Sequence, residues 1–328
     1  MPRAVAGLLV DPVDGTRPGV VAIEDGVIVS VEAEPEAPGG VLVFPGFVDL
    51  QVYDTTGLVE SGVTGYLQAT RDAGAPVGGL CLGLHLEGPF LNPDAAGAIP
   101  VEEIFPVDLE ALGGWLSGGS VGLVTISPEI PRGLEAIRLV ASAGAVAAVG
   151  HTHANGATTR AAIAAGARFA THIWNAMAPT RARATGPVPD LLLSRRVTLG
   201  LIADGRHLHP RIEELTLRVA GPGRIALTSD RVPLPAQRPE GSLLGGDRSG
   251  AALVARMARH GLAEAALMAS LVPARVLGLS DRGRLAPGYR ADLALLTDRF
   301  VPLETLSGGE TVWAVGYADR EELGRDPS

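Results

Sequence analysis

The sequence predicts an α/β fold: a metal-dependent (β/α)8 TIM barrel with shortened early connections, plus a small β-sandwich domain built from both termini. Two observations support this prediction. Eight apolar, strand-like runs follow one another between residues 47 and 229. Polar residues stand at the ends of five runs, namely Glu87, His151, His172, His207 and Asp230. Because the strand ends of such a barrel converge on the face that carries the active site, we expect these side chains to meet at one metal-bearing site.

Length, charge and hydropathy narrow the class of protein further. The chain has 328 residues and a formal net charge of −9. A barrel of this type takes about 250 residues, which leaves material for a second domain. The acidic balance argues against nucleic-acid binding, which needs a basic surface. No run reaches the roughly 20 apolar residues of a membrane span, and Asp11 comes too early for a signal peptide. We therefore expect a cytoplasmic protein that binds neither nucleic acid nor membranes.

Both ends of the chain carry the pattern of short antiparallel strands. Apolar runs alternate with turn sequences such as Asp25-Gly26 near the N-terminus, and a similar pattern returns near the C-terminus. Each half would have to pair with the other to bury an apolar face. We therefore expect residues 1–44 and 281–328 to form the β-sandwich domain, and residues 45–280 to form the barrel.

The barrel strands are predicted from apolar runs, and the helices from amphipathic spacing. The predicted strands cover residues 47–52, 62–68, 80–86, 121–126, 145–150, 167–171, 197–203 and 224–229. The predicted helices cover residues 134–143, 158–165, 211–219, 250–260 and 263–277. The first two connections are short, whereas parallel neighbours need a crossover of about a dozen residues or more. Either the strand boundaries differ by a few residues, or, as we interpret the pattern, the first two helices are missing.

The residue types at the strand ends predict a metal site. Two imidazoles and one carboxylate with an open position form a usual ligand set of catalytic zinc, which iron, cobalt or manganese also accept. Glu87, His151 and His172 are the candidates, although His153 could replace His151 and Glu87 could instead cap a turn. An ion held in this way permits amide hydrolysis at neutral pH. Asp230 would take the proton of the attacking water and pass it to the departing amine.

Motifs along nearly the whole chain resemble those of one family. They are the segments 45–51 (PGFVDLQ), 83–90 (GLHLEGPF), 127–129 (SPE), 150–152 (GHT), 171–177 (THIWNAM), 203–207 (ADGRH), 228–230 (TSD), 273–279 (PARVLGL) and 283–292 (GRLAPGYRAD). In this order they resemble the bacterial N-acetylglucosamine-6-phosphate deacetylases of the amidohydrolase superfamily. The resemblance implies hydrolysis of N-acetylglucosamine 6-phosphate to glucosamine 6-phosphate and acetate, in amino-sugar catabolism.

The resemblance also implies roles for individual residues. It implies one divalent ion, zinc by preference, on the three ligands named above, with Asp230 as general acid and base. The residues that it implies in substrate binding are Ala98, Asn175, Ala176, Arg183, Asp204, His207, Leu243, Leu244 and Gly245. Arg183 stands where the family carries a phosphate-binding arginine, a role that suits a guanidinium group, and Arg181 is a near competitor.

The resemblance further implies a single ion and a homodimer. Gln51 and Tyr53 occupy the places of a His-x-His pair found in many amidohydrolases, which favours one ion over two. In the family, one subunit helps to complete the phosphate pocket of the other. A barrel without outer helices would also expose apolar strand faces that a second subunit could cover.

Apart from the missing helices, two features depart from the family pattern. Ile99 replaces a histidine that contacts the substrate. Near the sugar site, Arg231 follows Asp230 in place of a small residue, and Asp247-Arg248 interrupts a glycine-serine segment. Because Ile99 has no side-chain donor, a second hypothesis keeps the chemistry but takes another acetylated or amide substrate. A third hypothesis is a catalytically impaired relative that acts as a binding or scaffold protein.

Overall fold

The computed structural model of the chain describes residues 3–70, 80–233, 236–237 and 241–315. These residues fall into two compact units. The first unit contains the described residues within Met1–Val48, Thr56–Gly65 and Ser249–Ser328, and the second contains those within Asp49–Thr55 and Tyr66–Arg248. The domain boundaries expected from the sequence, after residue 44 and after residue 280, remain a prediction.

The regular elements alternate along the middle of the chain and are all-β at both ends. The strands are β1 (Arg3–Asp11), β2 (Gly15–Glu24), β3 (Val27–Ala33), β4 (Val41–Pro45), β5 (Phe47–Val52), β6 (Val63–Thr70), β7 (Cys81–Glu87), β8 (Val121–Ile126), β9 (Val146–Val149), β10 (Phe169–Ala170), β11 (Thr198–Leu201), β12 (Ile225–Leu227), β13 (Leu293–Thr297), β14 (Pro302–Ser307) and β15 (Glu310–Ala314). The α-helices are α1 (Leu109–Ser117), α2 (Gly133–Ser142), α3 (Gly156–Ala165), α4 (Val188–Leu193), α5 (Pro210–Ala220), α6 (Gly250–Met257), α7 (Leu262–Ala266) and α8 (Val272–Val276). Short 3-10 turns cover Val59–Ser61, Pro93–Ala95, Val101–Glu103, Pro222–Arg224 and Ala258–His260, and a π-helical segment covers Leu267–Leu271.

A mixed sheet in the first unit joins the two ends of the chain. Within the described residues it has seven strands in the order β15-β14-β13-β4-β1-β2-β3. Strand β4 links the halves, since it pairs parallel with β1 and antiparallel with β13. The β2–β3 hairpin turns at Asp25 and Gly26, whose φ angles of 48° and 80° fit the two-residue turn that Asp-Gly favours. The core of this unit contains Val5, Leu9, Val21, Ile23, Ile28, Val43, Leu285, Ala291, Leu293, Leu295 and Leu306. The predicted β domain from both termini is confirmed.

The other sheet forms the barrel. Within the described residues it has eight strands, in sequence order from β5 to β12. Neighbours from β6 to β12 pair in parallel. The sheet closes between β12 and β5, because the Asp230 amide donates to the Gln51 carbonyl at 3.1 Å and the Tyr53 amide donates to the Arg231 carbonyl at 2.8 Å. The predicted barrel is confirmed, and its strand ends lie together at one rim.

The helices follow the capping signals of the sequence. Helix α3 begins after Asn155, whose side chain accepts a hydrogen bond from the Thr158 amide at 2.9 Å. It ends at Gly166, whose φ of 117° favours a residue without a Cβ atom. The predicted amphipathic helices correspond to α2, α3, α5 and α6, and the last one is divided into α7, the π-helical segment and α8. In the described part of the chain, no helix has both the length and the apolar character needed to cross a membrane.

The first connection of the barrel is short, as the sequence predicts. Residues 53–62, all of which are described, contain a 3-10 turn at Val59–Ser61 and no α-helix. The second connection falls on residues 71–79, which lie outside the described residues, so its predicted lack of a helix remains a prediction. Within the described residues, the first α-helix is α1, which follows β7 and leads back to β8.

Candidate metal centre and active site

Three buried side chains converge at the rim of the barrel where the strands end. Glu87 is the last residue of β7, and His151 and His172 each stand two residues beyond a strand. The two Nε2 atoms lie 3.1 Å apart, and Oε1 of Glu87 lies 3.0 Å from Nε2 of His151 and 2.8 Å from Nε2 of His172. Each of the three is at most 4% exposed. This is a candidate metal site, formed by the residues that the sequence predicts as ligands.

The donor set fits a divalent cation. Nδ1 of His151 lies 2.9 Å from the Ala95 carbonyl, which can only accept, so Nδ1 carries the proton. In a neutral His151, the lone pair of Nε2 therefore faces an oxygen of Glu87. A cation between the two atoms relieves this contact, and a tetrahedral zinc ion with bonds of about 2.0–2.1 Å separates its ligands by about 3.3 Å. The observed separations are close to that spacing. His153, the alternative to His151, is exposed and lies outside the cluster.

Glu87 is held in its charged form. Burial by itself raises the pKa of this carboxyl group, but its contacts with the imidazoles of His151 and His172 outweigh burial and hold the pKa well below its usual range. The phenol of Tyr53 donates a further hydrogen bond, to Oε2. The carboxylate is therefore ready to act as an anionic ligand at neutral pH.

Asp230 has the opposite tendency. It follows β12, and its Oδ1 accepts a hydrogen bond from the Gln51 side chain at 2.7 Å. Burial raises its pKa well above the usual range, and the negative charges of Glu87, Asp49 and Asp204 raise it further. Asp230 and Glu87 are thus two carboxyl groups whose environments push their pKa values apart, a pattern that separates a proton carrier from a ligand.

Backbone strain concentrates at the same residues. The φ angles are 46° at His151, 29° at His172 and 50° at Asp230. All three lie in the left-handed region that residues other than glycine rarely adopt. Such strain persists where the surroundings over-determine the conformation, and it clusters at functional sites. Three of the four predicted catalytic and metal residues therefore carry an independent mark of function.

The segment after β8 fixes the loop that carries His151. The hydroxyl of Ser127 donates to the His151 carbonyl at 2.5 Å. The carboxylate of Glu129 accepts hydrogen bonds from the Thr152 hydroxyl and the His153 amide, both at 2.5 Å. The sequence contains this Ser-Pro-Glu motif, but its spacing alone gave no role for either residue.

A buried polar chain lies beneath the cluster. His85 points inward from β7, two residues before Glu87, and its ring contacts the Leu50 carbonyl at 3.0 Å and the Thr125 hydroxyl at 2.7 Å. The Thr125 hydroxyl in turn contacts that of Thr171 at 2.6 Å. Burial lowers the pKa of His85 to about 4, so this ring stays neutral. His85 belongs to the support of the site.

A pocket of about 600 Å³ opens over the cluster. Its lining residues are Tyr53, Glu87, Gly97, Ala98, Ile99, His151, His172, Asn175, Ala176, His207, Asp230, Val232, Pro233, Ser242, Leu243, Leu244 and Gly245. Seven of the nine predicted substrate residues line it, the exceptions being Asp204 and Arg183. Asp204 lies behind His207 and contacts its Nδ1 at 2.8 Å. Although partial burial raises the pKa of Asp204, hydrogen bonds from His207 and nearby amides lower it to about 2.

The predicted phosphate-binding residues lie elsewhere. Arg183 and its competitor Arg181 are both exposed, and neither is among the residues that line the pocket. None of the described lining residues is a lysine or an arginine. The structure therefore brings the predicted metal, acid–base and sugar residues together, but it leaves the predicted phosphate arginine outside.

The residues that depart from the family pattern have identifiable contacts. Ile99 is 6% exposed and lines the pocket. Arg231 helps to close the barrel through its carbonyl, and its side chain lies 3.3 Å from the Asp54 carboxylate. Asp247 forms an ion pair with Arg206. Of these three side chains, only Ile99 is part of the described pocket lining.

The chain is similar to known proteins of one family. The sequence profile of the amidohydrolase family matches residues 54–312. The N-acetylglucosamine-6-phosphate deacetylase of Bos taurus is 31% identical, over 85% of this chain and 85% of the relative. The N-acetylgalactosamine-6-phosphate deacetylase of Escherichia coli O157:H7 is 31% identical, over 84% of this chain and 89% of the relative. A solved structure of a mutant N-acetyl-D-glucosamine-6-phosphate deacetylase from Mycobacterium smegmatis, in complex with N-acetyl-D-glucosamine-6-phosphate, aligns with a TM-score of 0.87 at 28% identity, over 95% of this chain and 99% of that chain.

The barrel, the buried Glu-His-His cluster and the profile match together define the class of protein: the chain belongs to the amidohydrolase family. The relatives just described are deacetylases of amino-sugar 6-phosphates. The resemblance that the motifs predict is therefore confirmed.

Proposed function

We propose that the protein hydrolyses the N-acetyl amide of N-acetylglucosamine 6-phosphate to glucosamine 6-phosphate and acetate. The observation that carries this proposal is the convergence of Glu87, His151 and His172 beside Asp230 in one pocket. The similarity to deacetylases of amino-sugar 6-phosphates supports the choice of substrate class.

The three clustered residues would hold one divalent ion. Zinc suits two imidazoles and a carboxylate at these separations, and iron, cobalt and manganese are the alternatives. When bound, such an ion polarises the amide carbonyl and makes water more acidic. The protein contributes a buried, anionic site in which Glu87 is charged and both imidazoles present Nε2.

Asp230 would move the proton. Its carboxylate lines the pocket beside the metal cluster, so it can accept a proton from the attacking water. Its raised pKa makes it a stronger base than an exposed aspartate, and the proton that it accepts would then pass to the departing amine. Gln51 holds Oδ1 during this exchange and leaves Oδ2 for the reaction.

The sugar would bind on the side of the pocket away from the metal cluster. His207, held by Asp204, and Asn175 offer polar contacts for sugar hydroxyls or the amide. The shape of the sugar site would be set by the small and apolar lining residues Ala98, Ala176, Leu243, Leu244 and Gly245. Arg183 would bind the phosphate, with its exposed side chain reaching the substrate at the pocket mouth or across a homodimer interface. The homodimer and the cytoplasmic location are parts of this proposal, which light scattering and cell fractionation would test.

A second substrate is favoured by a specific observation. One relative acts on N-acetylgalactosamine 6-phosphate by name, and Ile99 stands in the pocket where the resemblance expects a histidine. We therefore keep a related acetylated amino sugar, or another amide, as the alternative substrate. An inactive binding or scaffold protein is disfavoured, because Glu87, His151, His172 and Asp230 are all present.

Acetate release is the test of this proposal. Purified protein, stripped with a chelator and reloaded with zinc, should release acetate from N-acetylglucosamine 6-phosphate much faster than from the unphosphorylated sugar. N-acetylgalactosamine 6-phosphate serves as the competing substrate in the same assay. Equal rates with and without the phosphate would contradict the assigned substrate class, and activity that survives complete metal removal would contradict the metal mechanism.

A further inference from the structure

Tyr53, which follows β5, gives the two oxygens of Glu87 different environments. Its phenol donates a hydrogen bond to Oε2. Oε1 of the same carboxylate instead faces both imidazoles, at 3.0 Å from His151 and 2.8 Å from His172. One oxygen therefore points into the metal cluster, and the other is held by a neutral donor.

Burial makes a partner for Oε2 necessary. Glu87 is 3% exposed, and a buried carboxylate oxygen without a partner is costly. A cation or a hydrogen-bond donor can meet that need. A phenol keeps its proton at neutral pH and carries no charge. The phenol of Tyr53 therefore gives Oε2 a hydrogen bond without neutralising Glu87, whose negative charge remains available to attract the ion.

The barrel holds Tyr53 in place. Its amide donates to the Arg231 carbonyl at 2.8 Å, which ties it to the residue after Asp230. Gln51 stands two residues earlier and donates to Oδ1 of Asp230 at 2.7 Å. Residues two apart along an extended chain point to the same side. The end of β5 thus supplies one neutral donor to each of the two active-site carboxyl groups.

We propose that Tyr53 is a positioning residue that limits Glu87 to one oxygen toward the metal ion and so keeps a coordination position open for the reactants. This inference rests on the metal site of the proposed function. Without the phenol, Oε2 has no neutral donor from this position and turns toward the ion as a second ligand. Glu87 then occupies space that a catalytic ion needs to keep free.

The test compares the Co²⁺-loaded wild-type protein with the variant Tyr53→Phe, which keeps the ring and removes the donor. The visible absorption of Co²⁺ weakens as its coordination number rises, so it reports the change without any turnover. We expect the variant to bind the same amount of Co²⁺, to absorb more weakly, and to show kcat lowered about 10- to 100-fold. Near-ultraviolet circular dichroism checks that the variant is folded.

Tyr66→Phe is the matched control. Tyr66 lies within β6 and does not line the described pocket, so this variant should keep the wild-type Co²⁺ spectrum and kcat. A Tyr53→Phe spectrum equal to that of the wild type would overturn the role of Tyr53 and leave the metal site standing. A wild-type protein that binds no Co²⁺ would overturn the metal site itself, and this inference with it.

Discussion

The candidate metal site and the proposed sugar site occupy two parts of the pocket, here called the metal end and the sugar end, and the two are built differently. The metal end consists of Glu87, His151, His172 and Asp230, each placed at or just after a barrel strand. The sugar end is lined by loop residues, among them Ile99, Val232, Pro233, Leu243 and Leu244. Strand ends are fixed by the hydrogen bonds of the sheet, whereas loops can change without disturbing the core. The reaction is therefore more firmly determined by the fold than the substrate is.

The two ends also differ in their polar groups. At the metal end, carboxylates and imidazoles contact one another and are supported by His85, Ser127 and Glu129. At the sugar end, the described lining is mostly apolar, with no lysine or arginine. A phosphate group needs cationic or other strong donors. For a phosphorylated substrate, these donors would come from outside the described lining, and Arg183 is the predicted source.

The largest effect is expected at the metal end, from Asp230→Asn. Asparagine keeps the shape and can still accept the hydrogen bond from Gln51, but it cannot take up a proton. We expect kcat to fall about 10²- to 10⁴-fold, the range that general acid–base catalysis contributes. Metal content, measured by mass spectrometry, should stay at the wild-type level. Asp54→Asn, at the same rim of the barrel, is the matched control and should keep wild-type kcat. Wild-type turnover in Asp230→Asn would remove the acid–base role.

The support of the metal end should make stability depend on pH. The pKa of His85 is lowered to about 4, against 6.5 for an unperturbed histidine. Between these values the unfolded chain binds more protons, so the free energy of unfolding decreases as the pH falls. His85 therefore stabilises the fold fully above pH 6.5, and this contribution is lost toward pH 4.

Chemical denaturation at pH 7 and pH 5 measures this effect. The free energy of unfolding should fall by about 2 kcal/mol between pH 7 and pH 5 because of His85 alone. The variant His85→Gln, whose side chain does not titrate, should lack this part of the decrease. Other groups, such as the buried Asp49, titrate in both proteins and cancel in the comparison. An equal pH dependence in the two proteins would contradict the buried, neutral state of His85. Should the variant fail to fold, an NMR titration of the His85 ring gives the same answer.

The convergence of the side chains at the metal end could be predicted from the sequence, for a physical reason. Parallel strands in a barrel deliver their carboxyl ends to one rim, so a polar residue after an apolar run can be placed before the structure is known. Contacts between distant loops follow no such rule. The hydrogen bonds from Tyr53 to Glu87 and from Ser127 to the His151 loop join segments that are far apart in sequence. The His-x-His position drew attention to Tyr53, but its direction became clear only from the fold.

The strands and the phosphate site show where sequence reasoning reaches its limit. Strand β10 has two residues, although five were predicted, because the chain leaves the sheet early to place His172 with a positive φ angle. Because the apolar pattern continues through this turn, the sequence does not show where the strand ends. Arg183 follows the family pattern, yet it lies in an exposed loop outside the pocket lining. Sequence position alone does not fix the direction of a loop side chain.

At the sugar end, Arg183→Ala tests the source of the phosphate contact. We expect KM for N-acetylglucosamine 6-phosphate to rise about 10- to 100-fold, the range expected on losing a hydrogen bond to a charged group. The low activity on the unphosphorylated sugar should not change. Arg181→Ala is the matched control and should have the smaller effect. A larger rise in KM for Arg181→Ala than for Arg183→Ala would assign phosphate binding to Arg181. An unchanged KM in both variants would show that other residues bind the phosphate.

The smallest effect is expected from Ile99→His, which restores the residue that the family resemblance implies. A histidine here offers a donor to the substrate, so kcat/KM for N-acetylglucosamine 6-phosphate should rise about tenfold or less. Ile99→Leu is a control for side-chain volume and should leave kcat/KM nearly unchanged. A loss of activity in Ile99→His, with Ile99→Leu active, would indicate that the apolar surface itself is needed for this protein's substrate.

The most direct test of the metal end is anomalous diffraction from crystals of the zinc-loaded protein, collected on both sides of the zinc absorption edge. We predict one anomalous peak in the active site, about 2.0–2.2 Å from Nε2 of His151, Nε2 of His172 and Oε1 of Glu87. Oε2 of Glu87 should stay with the phenol of Tyr53. An active site without a peak, or a peak held by other residues, would contradict the account of this protein as a metal-dependent deacetylase.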